Sequence, residues 1–326
     1  MKKKILILRF SSIGDIVLTT PVPRVLKTQL KEVEVHYCTR ESYAGILQEN
    51  PYIDKLLLLK DSLNELINQL KNEQYDLIID LHHNLRTLII KKRLGIKAHS
   101  FNKLNFEKWV YVNFKRNILP NIHIVDRYLD TVKPLGVTND FKGLDYFIPD
   151  KDEVDLEWLP EEFREEYVAL VVGAKYATKQ LPTKKIIQLA HMINKPVVVL
   201  GGKEDAKIGD TLEEFFRVEN DFTKTKIFNG CGKFNLNQSA SLLKNANYVF
   251  THDTGLMHIA AAFKKQIFSI WGNTTPHFGM YPYLTKFTVF ENNKINCRPC
   301  SKIGYKKCPK GHFKCMNDLN FDFYLP

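Results

Sequence analysis

No stretch of this chain comes near eighteen uninterrupted apolar residues, which removes a spanning helix from its options. Glycine (16) and proline (14) are too sparse among 326 residues for a fibrous or low-complexity chain. No G-x-G-x-x-G occurs, so a Rossmann dehydrogenase lacks its fingerprint, and no Walker A pattern marks a P-loop ATPase. A metal-dependent transferase of the Asp-x-Asp type is also poorly supported: the one such triplet, Asp150-Lys151-Asp152, follows no strand. The opening Met1-Lys2-Lys3-Lys4 could begin a leader, but the apolar run Ile5–Leu8 stops at Arg9 without a cleavage site. A mature cytoplasmic start is therefore expected. Hydrophobic residues at 44% and charged residues at 25% describe an ordinary folded protein, and the length favours two domains.

Acidic residues are in deficit, leaving a net charge of +11. An excess of base points to an anionic partner: nucleic acid, anionic lipid or a phosphorylated small molecule. Between Arg86 and Arg116 nine basic residues meet one acid, Glu107, with Trp109 and Tyr111 interleaved. From Lys294 to Lys314 there are seven basic residues and no acid. Each run alone reads as a solvated face; two together favour a functional anionic surface.

The apolar pattern alternates strand with helix. Lys4–Arg9, Val33–Tyr37, Lys55–Leu59 and Asp76–Leu81 read as strands, separated by helical stretches at Ile16–Leu30, Ser42–Gln48 and Leu63–Lys71. Residues 84–142 read as mostly helical, ending in the amphipathic His123–Leu135. The polar segment 150–155 reads as a linker, which divides the chain into 1–150 and 151–326. A second alternation follows: strands at Tyr167–Val172, Pro196–Leu200, Lys226–Phe228, Tyr248–Thr251 and Gln266–Trp271, helices at Thr183–Ile193, Glu204–Arg217, Leu236–Asn245 and Gly255–Phe263. Continuous apolar strands joined by helices mean parallel sheets covered on both faces. The expected fold is α/β, two doubly wound Rossmann-like units, with ligands beyond the strand ends and a site in the cleft between units.

Four loops follow strands and carry chemistry. In Ser11-Ser12-Ile13-Gly14-Asp15, Gly14 allows a tight turn with close backbone approach, and Asp15 is either a first-turn helix carboxylate or a general base. In Thr251–His258, the backbone of Thr254, Gly255 and Leu256 can cradle a phosphate at a helix N-terminus, with Asp253 an alternative N-cap and His258 one turn further in. In Gly173–Pro182, Lys179 can neutralise a departing phosphate or be merely solvated. In Gly201-Gly202-Lys203-Glu204-Asp205, a carboxylate after a glycine turn can hold ribose hydroxyls.

These pieces resemble the heptosyltransferases of lipopolysaccharide core synthesis, glycosyltransferase family 9, which have the GT-B architecture. The resemblance rests on Arg9–Val17, Asp80-Leu81-His82-His83-Asn84-Leu85-Arg86, Asp253–Ala261, Trp271–Pro276 and the Cys-rich tail, in order across essentially the whole chain. It implies an inverting, metal-independent transfer of a heptose from an ADP-activated donor to a phosphorylated, lipid-linked acceptor, with no cofactor needed for catalysis. Asp15 matches the general base, Lys179 the diphosphate lysine, and Asp253-Thr254-Gly255-Leu256 with His258 the diphosphate turn. Glu204 falls, within one residue, at the ribose carboxylate. Ser11, Ser12, Gly14, Asn84 and Arg86 fall on the acceptor side, where the basic run 86–116 would suit an anionic glycolipid. The family's Trp between that Lys and the Pro is replaced here by Gln180-Leu181. Implied partners are the nucleotide sugar, the glycolipid and the inner-membrane surface touched from the cytoplasmic side, not nucleic acid. A GT-B transferase using another nucleotide sugar, UDP-linked for example, is the alternative; a binding protein for an anionic polymer rests on charge alone.

Six cysteines occur, four of them as C-x₂-C-x₇-C-x₆-C: Cys297, Cys300, Cys308 and Cys315, with His312 between the last two. The spacing is compatible with structural zinc on four of these five residues, with reduced thiols packing the tail, or with disulfides. Cys38 and Cys231 read as core thiols.

Overall fold

Short apolar runs bounded by turn residues form the strands in the first half of the chain, except the last, Ala98-His99-Ser100. In the computed structural model, which describes residues 2–218 and 223–326, these are β1 (Lys3–Leu8), β2 (Val33–Arg40), β3 (Lys55–Leu59), β4 (Leu77–Asp80) and β5 (Ala98–Ser100). All pair in parallel, in the order β3-β2-β1-β4-β5. Ile5 to Leu8 are fully buried, as a central strand covered on both faces requires. Helices α1 (Ile13–Val17), α2 (Pro21–Gln29), α3 (Leu63–Asn72) and α4 (Leu85–Leu94) connect them. Leu66, Ile67 and Leu70 of α3 and Ile90 of α4 pack on Leu6, Leu8 and Phe10.

The single helix expected over Ile16–Leu30 is two. Pro21 has no N–H to continue the ladder and instead opens α2. Just before it, the Thr19 and Thr20 hydroxyls donate back to the carbonyls of Ile16 and Val17. Ser42–Gln48 tightens to a 3₁₀ turn, Glu41–Ile46. The stretch 84–142 is only partly helical: β5 interrupts it, followed by α5 (Asn105–Phe114) and α6 (Ile124–Leu129), then a 3₁₀ turn at Lys133–Leu135.

The chain divides into two units: Met1–Lys103 with Ile122–Phe147, and Leu104–Asn121 with Ile148–Pro326. The basic run 86–116, expected wholly on the N-terminal unit, is therefore split, and α5 belongs to the second. The segment read as a linker also packs into that second unit. Asp152 accepts hydrogen bonds from Asn235 and Asn237, and Val154 N–H donates to Ser241.

The second unit contains β6 (Val168–Val171), α7 (Thr183–Ile193), β7 (Val197–Leu200), α8 (Ala206–Val218), β8 (Ile227–Asn229), α9 (Leu236–Asn245), β9 (Tyr248–His252), α10 (Gly255–Ala262), β10 (Gln266–Trp271), β11 (Phe287–Glu291) and α11 (Lys314–Asn317). Its parallel sheet runs β11-β10-β9-β6-β7-β8, the strand order of dinucleotide-binding sheets. β11, an edge strand with one fully buried residue, Phe290, carries too weak a pattern to be read from sequence. The chain's end closes this core: Cys315, Met316, Leu319 and Phe321 join Phe250 and Phe268, whose rings stack at 4.4 Å. No helix among the described residues is long and apolar enough to cross a membrane.

Candidate functional site

In an open parallel sheet the ligand crevice opens where strand order reverses. The first unit reverses between β1 and β4, the second between β6 and β9. Each reversal gathers loops that the sequence could only name separately.

At the first, Arg9 leaves the end of β1 with its side chain buried. It donates to the carbonyls of Ser11 (2.7 Å) and Leu81 (2.5 Å) and to the Tyr128 hydroxyl (3.0 Å), so it joins the β1 and β4 loops. Its Nη2 pairs with Asp15 Oδ1 at 2.7 Å. Burial opposes the guanidinium charge, but Asp15 together with Tyr128 and Tyr37 outweighs it and holds Arg9 above its ordinary pKa. The other Asp15 oxygen accepts the Ser12 hydroxyl at 2.8 Å. The carboxylate is thus fixed in orientation while keeping partial access to solvent. Beyond β4, Asp80 is fully buried, pairs with Lys91 at 2.7 Å and accepts the amides of His82 and His83. His82 lies edge-on to Phe10, and burial, with Arg9 and Lys103 nearby, lowers its pKa to about 4. It is a neutral imidazole at physiological pH. Asn84 caps α4 by accepting Thr87 N–H, and Arg86 lies over the Phe10 ring at 5.5 Å.

At the second reversal, Lys179 Nζ pairs with Asp253 Oδ2 at 2.6 Å and donates to the Asp253 carbonyl at 3.1 Å. Thr274, from the loop after β10, donates to the same carboxylate oxygen at 3.0 Å. Three loops therefore converge on one carboxylate. Thr254 sits at the N-cap of α10 without a side-chain hydrogen bond to the first turn, whereas Asn84 and Asn235 close α4 and α9. The first amides of α10 are thus not capped by that side chain, and they carry the positive end of the helix dipole. His258 is buried on the same turn. His252, buried and lowered to about 4 chiefly by burial, accepts Leu181 N–H at Nε2, which pins the Lys179 loop to β9.

Of the neighbouring carboxylates, Glu204 is exposed and Asp205 is buried. Asp205 accepts Gly202 N–H and Gln180 Nε2–H, and its pKa is raised by burial. Gln180, one of the two residues that stand between Lys179 and Pro182 where the resemblance expects a Trp, thus bridges the Lys179 loop to the β7 loop.

The sequence profile of glycosyltransferase family 9 (heptosyltransferase) matches residues 63–310. The chain belongs to that family. Lipopolysaccharide heptosyltransferase 1 of Campylobacter coli is 27% identical over 83% of this chain and 84% of its own length. A family 9 glycosyltransferase from Veillonella parvula superposes with a TM-score of 0.70 at 22% identity, covering 88% of this chain and 86% of that one. The E. coli heptosyltransferase WaaC, solved with ADP, gives 0.66 at 20% identity, covering 88% and 93%. The chain is a glycosyltransferase with the GT-B fold of two Rossmann-like units.

Arg9, Thr274 and Asp205 lie in or beside stretches the sequence already marks, but what each one holds was not legible there. Arg9 opens the Arg9–Val17 stretch, but nothing in that stretch shows that its side chain reaches Leu81 and Tyr128. Thr274 lies 21 residues from the carboxylate it holds, and no local pattern links them. Asp205, next to the expected Glu204, differs from it only in which way the turn points.

Of the three readings left open for the cysteine cluster, the arrangement is that of reduced thiols. Among the described residues, no group of three or more His, Cys, Asp or Glu is arranged to hold a metal ion, and all six cysteines are free thiols. Cys297 Sγ contacts His312 at 3.9 Å, while Cys300 Sγ donates to the Cys297 carbonyl and Cys315 packs in the core. Burial raises Cys300 to about 11 and Cys315 to about 12, so both remain protonated. The tail works as a strap: Arg298 donates to the carbonyls of Gly272 and Thr274, and Tyr305 exchanges hydrogen bonds with Thr178 beside Lys179.

Proposed function

We propose that this enzyme transfers a heptose, with inversion and without a metal ion, from an ADP-activated donor to a phosphorylated lipopolysaccharide inner-core acceptor. The observation that carries the donor half is the Lys179–Asp253–Thr274 cluster beside the uncapped start of α10. ADP is the nucleotide with which the E. coli heptosyltransferase WaaC was solved, and the Campylobacter coli relative is a lipopolysaccharide heptosyltransferase.

In this reading Asp253 does not itself touch the diphosphate. A carboxylate already satisfied by Lys179 and Thr274 would repel phosphate; its work is to aim the ammonium. Lys179 and the amides of Thr254, Gly255 and Leu256 receive the charge that grows on the departing ADP, and His258 adds a donor within the same turn. Asp205 or Glu204 takes the ribose hydroxyls, Asp205 being the one placed beside Gly173 and Gly201.

Asp15 removes the proton of the acceptor hydroxyl as its oxygen attacks the anomeric carbon. Arg9 and Ser12 orient that carboxylate, so little reorganisation accompanies proton transfer. Attack from the face opposite the leaving diphosphate inverts the centre through an oxocarbenium-like state. Gly14 and Ser11 shape the turn, and Asn84 and Arg86 border the same strand ends for the acceptor's anionic groups. The enzyme works in the cytoplasm, at the cytoplasmic face of the inner membrane.

The test is turnover of ADP-heptose against UDP-hexoses with a core-oligosaccharide acceptor, joined to mass spectrometry of glycolipid from a strain lacking the protein. Transfer from ADP-heptose and a truncated core support the reading. Transfer from a UDP-sugar alone, or an unaltered core, overturns it.

A further inference from the structure

Two basic stretches far apart in sequence meet on one surface of the second unit. α5 lies against that unit by one side only. Tyr111 packs edge-on to Phe278 at 6.0 Å, Lys115 Nζ donates to the Pro299 carbonyl at 2.7 Å, and Lys302 Nζ reaches Asn105 Oδ1 at 3.4 Å. None of the helix's residues is buried. Its outer side carries Phe106, Trp109 and Phe114, which are 67%, 53% and 67% exposed. Their rings touch one another, Phe106 with Trp109 at 6.3 Å and Trp109 with Phe114 at 5.4 Å. The adjoining tail loop exposes Ile303 and Tyr305. Around these apolar groups stand Lys115, Arg116, Lys302, Lys306 and Lys307, all exposed, with Glu107 the one acid in either stretch.

An exposed cluster of three large rings is uncommon on a solvated helix. A lysine-rich rim argues against a protein partner, because lysine is depleted in protein interfaces. The same combination suits a bilayer's headgroup zone, where aromatic rings lie at the acyl boundary and lysines reach anionic phosphates. We propose that α5 and the loop 302–307 form a docking surface for an anionic lipid bilayer. This deepens the membrane partner of the proposed function and is independent of which sugar is transferred. Within this loop only Tyr305 pairs with Thr178 next to Lys179, and it is kept in every variant below.

The experiment is co-sedimentation of the full chain with phosphatidylethanolamine–phosphatidylglycerol vesicles and with phosphatidylcholine vesicles. Binding is expected to the anionic vesicles and to weaken with salt. Replacing Lys302, Lys306 and Lys307 together by Gln should weaken it about a hundredfold, about fivefold per lysine. Phe106→Ser with Trp109→Ser should weaken it at least about tenfold. In a Trp158→Phe background, Trp109 emission should shift to the blue on vesicle addition, because the remaining Trp271 is already buried. All variants should transfer sugar to a delipidated acceptor as the parent does. No binding to anionic vesicles, equal binding by the variants, or an aromatic effect confined to self-association would each overturn the proposal. A protein that docks normally but does not use ADP-heptose would leave it standing and overturn the donor reading instead.

Discussion

Removing Lys179 uncovers the charge it was holding. In Lys179→Met, the Asp253 carboxylate keeps only the Thr274 hydroxyl, and under the proposed function the donor diphosphate would lose its ammonium. The lost charge-assisted contact amounts to about 1.5–3 kcal/mol. An unbalanced carboxylate about 5 Å from a phosphate, at an effective dielectric of about 20, adds about 3 kcal/mol of repulsion. Together they reduce kcat/KM by roughly three to four orders of magnitude. Asp253→Asn alone leaves Lys179 free to meet the diphosphate, but without its orienting partner, and should cost about tenfold to a hundredfold. The decisive variant is the double one. Lys179→Met with Asp253→Asn removes the repulsion together with the cation, and it should recover about two orders of magnitude over Lys179→Met. The assay is initial-rate kinetics on all four proteins, with ADP affinity by calorimetry. A double variant no better than Lys179→Met would refute the claim that Asp253 acts by holding the lysine.

Arg9→Met breaks the Asp15 pair and three further hydrogen bonds, and should lower unfolding free energy in urea by about 3 kcal/mol. It should also reduce kcat about a hundredfold at temperatures where the variant is folded. His252 predicts acid lability: its folded pKa of about 4 lies below the unfolded value, so stability is present above that unfolded value and is lost as pH falls towards 4. The loss should reach about 3 kcal/mol by pH 4, and denaturation titrations of His252→Gln should show a shallower slope. Gly173→Ala would set a methyl 2.3 Å from an Asp205 oxygen, forcing that buried carboxylate aside. A loss of about 1–3 kcal/mol of stability and weaker ADP binding are expected, measured by thermal unfolding with and without ADP.

Much of the fold was legible because buried parallel strands are unambiguous runs. Val197–Leu200 and Ile5–Leu8 are apolar throughout, and helices such as Thr183–Ile193 and Leu236–Asn245 repeat at helical spacing. Strand order was not legible, since nothing local tells β9 to pair with β6 and β10. The site shows the same division. Asp15, Lys179 and Asp253 stand out as polar residues after strands, whereas Arg9 and Thr274 act through partners that only the sheet order brings near. The split of the basic run escaped because charge density carries no information about packing. It is Tyr111 and Lys115, held by Phe278 and Pro299, that assign α5 to the second unit. The cysteine spacing could not choose among zinc, reduced thiols and disulfides, because it does not show that Cys315 packs in the core with Met316 and Leu319.

The central claim, that Asp15 is the base of a transfer from ADP-heptose, is tested most directly by one comparison on Asp15→Asn. Its turnover should fall below detection while its calorimetric affinity for ADP stays that of the parent. Turnover that survives the substitution would contradict the account.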